Sequence, residues 1–269
     1  MDDLFRGTWA LVTGASSGLG EELARQLAQR GCNLVLTARS REALQGLGAQ
    51  LGAAHGVQYR VITADLAAND GAATLTRELD ALGVAIDHVF ANAGFGTWGP
   101  FDEETGASQT EMIRVNCESL VAIVHHTIGG MIARRRGGVM LVASTAAFQP
   151  TPMFAVYGAT KAFVRSFGEA LAEEMRGRGV RVSVLCPGPV PTGFQARANS
   201  RITGAQASSV LSAQETIERG LAGYVAGRVL VVPGAMNKLA AAVVSLLPNR
   251  LVVPAVRQMM RSRSRSDRS

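Results

Sequence analysis

The sequence predicts an α/β fold, a doubly wound parallel sheet of about seven strands with helices on both faces. Short runs of Val, Leu and Ile alternate with longer segments of helical period, and short glycine-containing turns connect them. Strict alternation of this kind indicates successive βαβ units. Only 5% of the 269 residues are aromatic although 47% are hydrophobic, so the strands must be built from Val, Ile, Leu and Ala, as buried parallel strands are. The length fits one large domain.

The predicted elements alternate along the chain. The strands are the short apolar runs at residues 9–13, 33–38, 59–64, 88–91, 139–143, 180–185 and 229–232. Between them apolar residues recur at helical spacing, and Leu19, Leu23 and Leu27, for example, stack on one helix face at i, i+4 and i+8. The predicted helices therefore cover residues 18–30, 41–53, 70–82, 108–135, 156–176 and 214–226.

Three segments depart from this alternation. Residues 187–212 are rich in Pro, Gly, Ser, Ala and Thr, and a long insertion of this kind is typical of a lid or a substrate-binding loop. After the main domain, residues 1–236, the segment 237–260 is predicted to form an apolar helical extension, broken at Pro248 with Pro254 as a second candidate break. Residues 261–269 form an Arg/Ser tail that is predicted to be disordered.

The net charge of +6 and the pI near 9.9 would, taken alone, suggest a nucleic acid or an anionic membrane as partner. Residues 257–269, however, hold five arginines and one acid, so they carry +4 and leave only +2 for the preceding 256 residues. The internal run at residues 134–136 precedes Gly137 and predicts the C-terminus of a helix. We therefore predict no nucleic-acid partner, and a weak membrane association is left open for the C-terminal region.

The remaining composition favours a cytoplasmic protein without a metal. Cys32, Cys117 and Cys186 are odd in number and far apart, as reduced and buried thiols would be. Residues 1–7 contain two acids and no apolar core, so no secretory signal is expected, and the uncharged stretch 239–249 is about half as long as a transmembrane segment. The four histidines are either isolated or, in the one adjacent pair, point about 100° apart on a helix, so no metal site is predicted.

The turn between the first strand and the first helix reads Thr13-Gly14-Ala15-Ser16-Ser17-Gly18-Leu19-Gly20. Glycines in such a turn allow a tight reversal and a close approach of the backbone to a pyrophosphate at the helix N-terminus. Structural glycines would look the same in isolation, but their place in the first βα unit favours a dinucleotide site. The residues predicted to contact the cofactor here are Gly14, Ser16, Ser17, Gly18, Leu19 and Gly20.

The end of the second strand informs the choice of cofactor. An NAD site places a carboxylate there, about 20 residues past the glycines, whereas an NADP site places a cation for the 2′-phosphate. This chain has Ala38 and Arg39 at that position and no acid. A surface arginine at the start of a helix is the alternative interpretation of Arg39. The sequence thus predicts that NADP(H) is preferred and NAD(H) is used less.

A catalytic group is predicted on the helix at 156–176. Tyr157 and Lys161 are four residues apart and so share one helix face. The ordinary pKa of tyrosine, about 10, makes it a poor acid and base at neutral pH unless a cation stabilises the phenolate, and Lys161 offers that cation. Ser144 follows the strand 139–143, at the sheet edge where α/β proteins bind ligands, and could hydrogen-bond a substrate oxygen.

Together these motifs resemble the short-chain dehydrogenase/reductase superfamily over about residues 6–235. Residues 13–20 are similar to its TGxxxGxG turn. Asp65-Leu66 resembles the pair beside the adenine ring, and Asn92-Ala93-Gly94 resembles the NAG motif that borders the cofactor. The catalytic tetrad is matched by Asn116, Ser144, Tyr157 and Lys161, and the segment that holds the nicotinamide carboxamide is matched by Pro187, Gly188, Val190 and Thr192.

The resemblance implies a Rossmann-like single domain that transfers a hydride between nicotinamide and a carbonyl or alcohol carbon. Tyr157 would be the general acid and base, and Ser144 would orient the oxygen. Lys161 would lower the pKa of Tyr157 and bind the nicotinamide ribose, while Asn116 would hold a water that connects Lys161 to solvent. It also implies a homodimer or homotetramer built on the helices near 108–135 and 156–176.

The cofactor preference, the substrate and the function class are not fully determined by these motifs. Many NADP-preferring relatives carry a basic residue in the glycine turn where this chain has Ser17. The substrate is expected to be small or hydrophobic. The residues that select it are expected in segments 187–212 and 95–101 and in the C-terminal helices. Trp98 and Phe101 either line the mouth of the substrate pocket or pack in the protein interior. The alternatives are an NADP(H)-binding sensor or scaffold and a peripheral membrane binder acting through the tail, and the complete tetrad weighs against the sensor.

Overall fold

The computed structural model of the chain describes residues 4–194, 198 and 210–261, with side chains up to residue 258. Its strands form one parallel sheet in the order β3-β2-β1-β4-β5-β6-β7. They are Trp9–Thr13 (β1), Asn33–Ala38 (β2), Tyr59–Thr63 (β3), His88–Ala91 (β4), Gly138–Val142 (β5), Arg181–Leu185 (β6) and Leu230–Val231 (β7). The predicted fold class is confirmed, with each strand within one or two residues of its expected bounds.

Helices connect the strands. In chain order they are Gly18–Gln29 (α1), Arg41–His55 (α2), Gly71–Ala81 (α3), Gly106–Ile113 (α4), Ser119–Arg134 (α5), Ala155–Glu174 (α6), Ala213–Val225 (α7), Ala235–Leu246 (α8) and Asn249–Arg261 (α9). A π-helical turn, Arg114–Glu118, joins α4 to α5, and a 3-10 turn, Thr145–Phe148, follows β5. The continuous helix predicted at 108–135 is therefore two helices separated by a π turn, a change of hydrogen-bond spacing that apolar periodicity does not show.

The sheet is doubly wound because alternate residues of its strands face opposite helical layers. In β1, Leu11 packs into a cluster with residues of α3, α5 and α6. Its neighbours Ala10 and Val12 pack into a second cluster with residues of α1, α2 and α7. The β1 and β4 strands are neighbours although β2 and β3 separate them in sequence, so the strand order reverses between them. A crevice at the carboxyl ends of the strands is expected at this point.

The C-terminal extension differs in detail from its prediction. Helix α8 begins at Ala235, two residues before the expected start. The break at Pro248 is confirmed, and its carbonyl accepts the backbone N–H of Leu251 at 2.9 Å. The candidate break at Pro254 is wrong, because Pro254 lies inside α9. The backbone N–H that proline lacks would serve the carbonyl of Arg250, which lies on the exposed first turn and can be hydrated instead. Arg261 ends α9, and the rest of the predicted disordered tail lies outside the described residues.

Two smaller predictions, the end of a helix near residue 134 and the three free, buried cysteines, are also confirmed. Helix α5 ends at Arg134, and Arg135 follows in the left-handed region with φ of 51°. Cys32, Cys117 and Cys186 are free and buried. Within the described ranges, no helix has the length and apolarity to cross a bilayer.

Candidate active site

The main cleft lies at the carboxyl ends of the strands and has a volume of about 750 Å³. It contains nearly every residue that the sequence placed at the site: Gly14, Ser16, Ser17, Gly18, Leu19, Arg39, Asp65, Leu66, Asn92, Ala93, Gly94, Ser144, Tyr157, Lys161, Pro187, Gly188, Val190 and Thr192. Two predicted residues, Gly20 and Asn116, do not line it. The fold thus assembles segments from six strand ends around one cavity.

The glycine turn is attached to the segment after β4 by hydrogen bonds. The Thr13 hydroxyl accepts the backbone N–H groups of Asn92 at 3.0 Å and Ala93 at 2.9 Å. The Asn92 amide donates to the Thr13 carbonyl at 3.0 Å. Gly14 turns the chain with φ of +67°, and a Cβ on it would lie 3.0 Å from the Ala93 Cα. The turn and the Asn92–Gly94 segment therefore form one rigid wall of the cleft.

Gly20 has a packing role in this structure, and its contact with the cofactor stays a prediction. A Cβ at this position would lie 2.1 Å from the carbonyl oxygen of Gly14, far inside contact distance. The absence of a side chain on Gly20 therefore lets α1 approach the end of β1. Gly18, by contrast, lines the cleft with φ of +60°, and a Cβ on it would contact Thr192 at 3.2 Å.

The opening of α1 fits an anionic ligand. Ser17 is the extended N-cap of α1, and Ser17, Gly18 and Leu19 all line the cleft. The first backbone N–H groups of a helix have no partner within that helix, and the helix dipole adds positive potential there. A pyrophosphate placed against this turn would be bound by those groups.

Arg39 and Asp65, the two charged residues predicted to contact the cofactor, both line the cleft. Arg39 is exposed at the end of β2, next to Ser40, whose hydroxyl caps α2 by accepting the Ala43 N–H. Asp65 is exposed after β3, and its carboxylate accepts the Ala67 N–H at 3.1 Å. The cation thus stands at the end of β2, where NADP sites hold the 2′-phosphate.

Asn116 lies in the π turn and acts through its neighbours. Its amide donates to the Phe95 carbonyl at 3.0 Å and to the Thr160 hydroxyl at 3.0 Å. Its side-chain oxygen accepts the Phe95 N–H at 3.1 Å. The side chain therefore fastens the segment after β4 to α6, and Asn116 is a positioning residue in this structure. That it also holds a water remains a prediction.

Ser144, Tyr157 and Lys161 meet at the bottom of the cleft. Ser144 lies close enough to Tyr157 to lower the pKa of the phenol, and the Ser144 hydroxyl accepts the Ala146 N–H at 3.1 Å. The Lys161 ammonium donates to the Val142 carbonyl at 2.9 Å and lies 5.7 Å from the centroid of the Tyr157 ring. Gly94 leaves room for these groups, since a Cβ on it would lie 3.3 Å from Lys161 Nζ. The end of β5 and the first turns of α6 therefore position the three side chains.

The ionisation of this group differs from what the resemblance implied. Burial raises the pKa of Tyr157 to about 12, although the hydrogen bond from Ser144 opposes the shift. Burial likewise lowers the pKa of Lys161 to about 8. Lys161 was expected to lower the pKa of Tyr157, but the net shift is upward because the removal of the phenolate from water is the largest effect. The tyrosine is protonated at neutral pH.

Aromatic side chains form a wall beside Tyr157. The Phe154 ring lies 4.4 Å from the Tyr157 ring and 5.5 Å from the Trp98 ring, measured between centroids. Phe194 lies 5.5 Å from Tyr157 on another side. The sequence left open whether Trp98 lines the substrate mouth or packs in the interior, and in the structure it packs on Phe154. Phe154 and Phe194 were missed; the only available signal for Phe154 was its place one turn before Tyr157.

Comparisons with known proteins agree with this site. The sequence profile of the family described as short chain dehydrogenase matches residues 8–203. Very-long-chain 3-oxoacyl-CoA reductase of Pyrenophora tritici-repentis is 36% identical over 186 residues, 67% of this chain and 54% of that protein. 17-beta-hydroxysteroid dehydrogenase type 3 of Mus musculus is 31% identical over 199 residues, 73% of this chain and 65% of that protein. The chain thus spans little more than half the length of the first relative.

The fold comparison covers more of the chain. A short-chain dehydrogenase from Sphingobium yanoikuyae, solved in complex with NADPH, superposes with a TM-score of 0.79 at 26% identity. The match covers 90% of this chain and 96% of that one. Because the family profile spans most of the chain, and the fold agrees over nearly all of it, the chain belongs to the short-chain dehydrogenase/reductase family, whose fold binds a nicotinamide cofactor.

Proposed function

We propose that this chain is an NADP(H)-dependent oxidoreductase that acts on the carbonyl or alcohol carbon of a hydrophobic substrate, with Tyr157 as the general acid and base. The observation that carries the proposal is the placement of Ser144, Tyr157 and Lys161 together on the lining of a cleft that extends to the glycine turn. Two adjacent hydroxyls held by a strand end and a helix can bind one carbonyl oxygen, one orienting it and the other protonating it.

The lining residues fit a dinucleotide. The glycine turn and the start of α1 would hold the pyrophosphate through backbone N–H groups. Asp65 and Leu66 would border the adenine, Lys161 would bind the nicotinamide ribose, and the segment 187–192 would hold the carboxamide. When bound, the nicotinamide supplies the hydride in reduction and accepts it in oxidation.

The protonation of Tyr157 favours reduction at neutral pH. Since burial raises the pKa of Tyr157 to about 12, the phenol holds the proton that it must donate to the developing alkoxide. Ser144 donates a hydrogen bond to the same oxygen and orients the carbonyl. After the proton leaves, the Lys161 ammonium stabilises the phenolate electrostatically. Alcohol oxidation needs the phenolate at the start, which burial disfavours.

The preference for NADP(H) rests on Arg39. An exposed guanidinium at the end of β2, on the lining of the cleft, offers charge-assisted hydrogen bonds to a 2′-phosphate.

A large apolar substrate fits the aromatic wall. Trp98, Phe154 and Phe194 give the region beside Tyr157 an apolar surface, which favours a hydrophobic carbonyl over a sugar. Two similar proteins are named very-long-chain 3-oxoacyl-CoA reductase and 17-beta-hydroxysteroid dehydrogenase, and both names refer to a largely apolar substrate. The proposal extends that substrate class to this chain.

The proposal also includes a homo-oligomer in the cytoplasm. Ile113 and Phe163 are exposed for 47% and 45% of their surface near the junction of α4, α5 and α6, and Phe163 stacks on Phe167. This apolar surface would be covered by a second copy in a homodimer or homotetramer. The free thiols of the chain support a reducing compartment.

The test uses the purified chain with NADPH and a panel of aromatic, steroidal and long-chain ketones, monitored by NADPH absorbance. Tyr157→Phe should lower turnover by about 10²–10⁴-fold because it removes the proton donor, while NADPH binding persists. Tyr59→Phe, on β3 and away from the cleft, is the matched control and should keep its rate. A Tyr157→Phe variant as active as the parent would refute the assignment.

A further inference from the structure

Helices α8 and α9, with the turn between them, expose an apolar face to solvent. Four of its residues follow each other at spacings of three and four along one side of α8, while Asn237 and Ala241 are buried on the opposite side. The side chains of this C-terminal apolar face are exposed for 45% to 86% of their surface and are Met236, Leu239, Val243, Leu246, Leu247 and Leu251. A helix surface that faces water is normally polar, so this exposed apolar face indicates a surface that binds a partner.

The same segment carries the charge of the whole chain. Residues 235–269 contain seven basic residues and one acid, Asp267, so they account for the entire formal net charge of +6. Residues 1–234 contain 20 basic and 20 acidic residues and are neutral in sum. Lys238, Arg250 and Arg257 lie exposed on α8 and α9, beside the C-terminal apolar face. Apolar side chains and cations thus occur together on the exposed sides of α8 and α9.

The other side of these helices packs next to the active site. Val252 and Val256 of α9 are buried against Trp98 and Met153. Trp98 in turn contacts Phe154, which contacts Tyr157. The C-terminal apolar face therefore belongs to a helical pair that flanks the aromatic wall of the substrate region.

We propose that the C-terminal apolar face docks this protein on an anionic membrane surface. A bilayer of anionic lipid offers negative headgroups and an apolar interior side by side, which matches the mixture of arginine, lysine and leucine on α8 and α9. A second copy is a poorer match, because a two-fold interface on α8 and α9 would bring two sets of exposed cations, Lys238, Arg250 and Arg257, against each other. The charge thus decides between the two occupants.

The geometry requires a helix that lies on the membrane. Helix α8 has 12 residues and spans about 18 Å, well short of the roughly 30 Å of a bilayer core. An amphipathic helix of this kind inserts its apolar face about 5–10 Å into the headgroup region. If the proposed function holds, on which this one consequence rests, docking would also place the aromatic wall near lipid-dissolved carbonyl compounds.

The test is co-flotation of the full chain with vesicles, a readout that does not depend on turnover. We expect binding to phosphatidylcholine vesicles with about 30% phosphatidylglycerol, weaker binding to pure phosphatidylcholine, and loss of binding in about 0.5 M NaCl. Leu239→Ser/Leu246→Ser should lower the partition coefficient about tenfold or more, since both leucines are exposed and their loss leaves the core intact. Lys238→Gln/Arg250→Gln/Arg257→Gln should have a similar effect.

The control is Val229→Ser, which removes exposed apolar surface at the opposite end of β7 from α8 and should bind vesicles within about twofold of the parent. The proposal is overturned if the parent does not bind anionic vesicles, or if the leucine variant binds as well as the parent. It is also overturned if the parent does not bind vesicles and the leucine variant has a lower molar mass than the parent in light scattering, because the face would then bind a second copy.

Discussion

Replacing Gly20 by Ala tests the packing of α1 on the glycine turn. The new Cβ would lie 2.1 Å from the Gly14 carbonyl oxygen and 2.6 Å from the Asn92 amide nitrogen. Ordinary contact begins at 3.4 Å, so α1 and the turn must separate by the difference, about 1.3 Å. Overpacking of this kind costs about 1–3 kcal/mol of unfolding free energy. The melting temperature should fall by roughly 2–4 °C for each kcal/mol in a chain of this size.

The same displacement should weaken NADPH binding, because the turn offers its N–H groups to the pyrophosphate. Calorimetric melting and a fluorescence titration with NADPH measure the two effects. The matched control is Gly46→Ala on the exposed side of α2, where a Cβ meets nothing within 4 Å. That variant should gain about 0.5–1 kcal/mol from the lower entropy of the unfolded chain. A Gly20→Ala protein with the melting temperature and the NADPH affinity of the parent would refute the close packing of α1.

Two further predictions concern charge. Arg39→Ala should raise the KM for NADPH by about tenfold or more through the loss of charge-assisted hydrogen bonds and leave the KM for NADH unchanged, with Arg41→Ala as control; equal effects on both cofactors would contradict the role of Arg39. Because the pKa of Lys161 falls to about 8 on folding, the unfolded chain binds more protons than the folded chain between about pH 8 and 10.4, so this group makes the free energy of unfolding rise with pH there. Denaturant titrations at several pH values give the free energy of unfolding of the parent and of Lys161→Met. The difference between the two should rise with pH over this range, and a difference independent of pH would contradict the burial of a titrating lysine.

Local patterns were sufficient for the elements and the glycine turn. The strands are short apolar runs and the helices carry periodic leucines, so each could be placed within a few residues from neighbours in sequence. The turn at Gly14 and Gly18 was also readable, because positive φ at both positions is a local requirement that glycine meets. The π turn at Arg114–Glu118 was not, since it depends on how Asn116 is held by Phe95 and Thr160.

Site contacts were predicted where the family motifs name a residue, and missed where they do not. Phe154, Phe194 and Asn237 carry no motif, yet the first two flank Tyr157, and a Cβ on Gly188 would lie 2.5 Å from the Asn237 amide. Gly20 was assigned to the cofactor because the motif groups it with Gly18. The close approach of Gly20 to the Gly14 carbonyl adds a helix-to-strand packing role that the motif does not show.

By itself the sequence determined the alternating fold, the position of the dinucleotide turn and the identity of Ser144, Tyr157 and Lys161 as a group. Those conclusions need only residue type and spacing. The tertiary structure alone decided the ionisation of that group, because desolvation depends on everything packed around it, and it raises the pKa of Tyr157 where the residue types suggested a lower one. It also showed that the leucines of the basic C-terminal segment are exposed next to its cations, because that exposure is a property of how α8 and α9 pack on the domain.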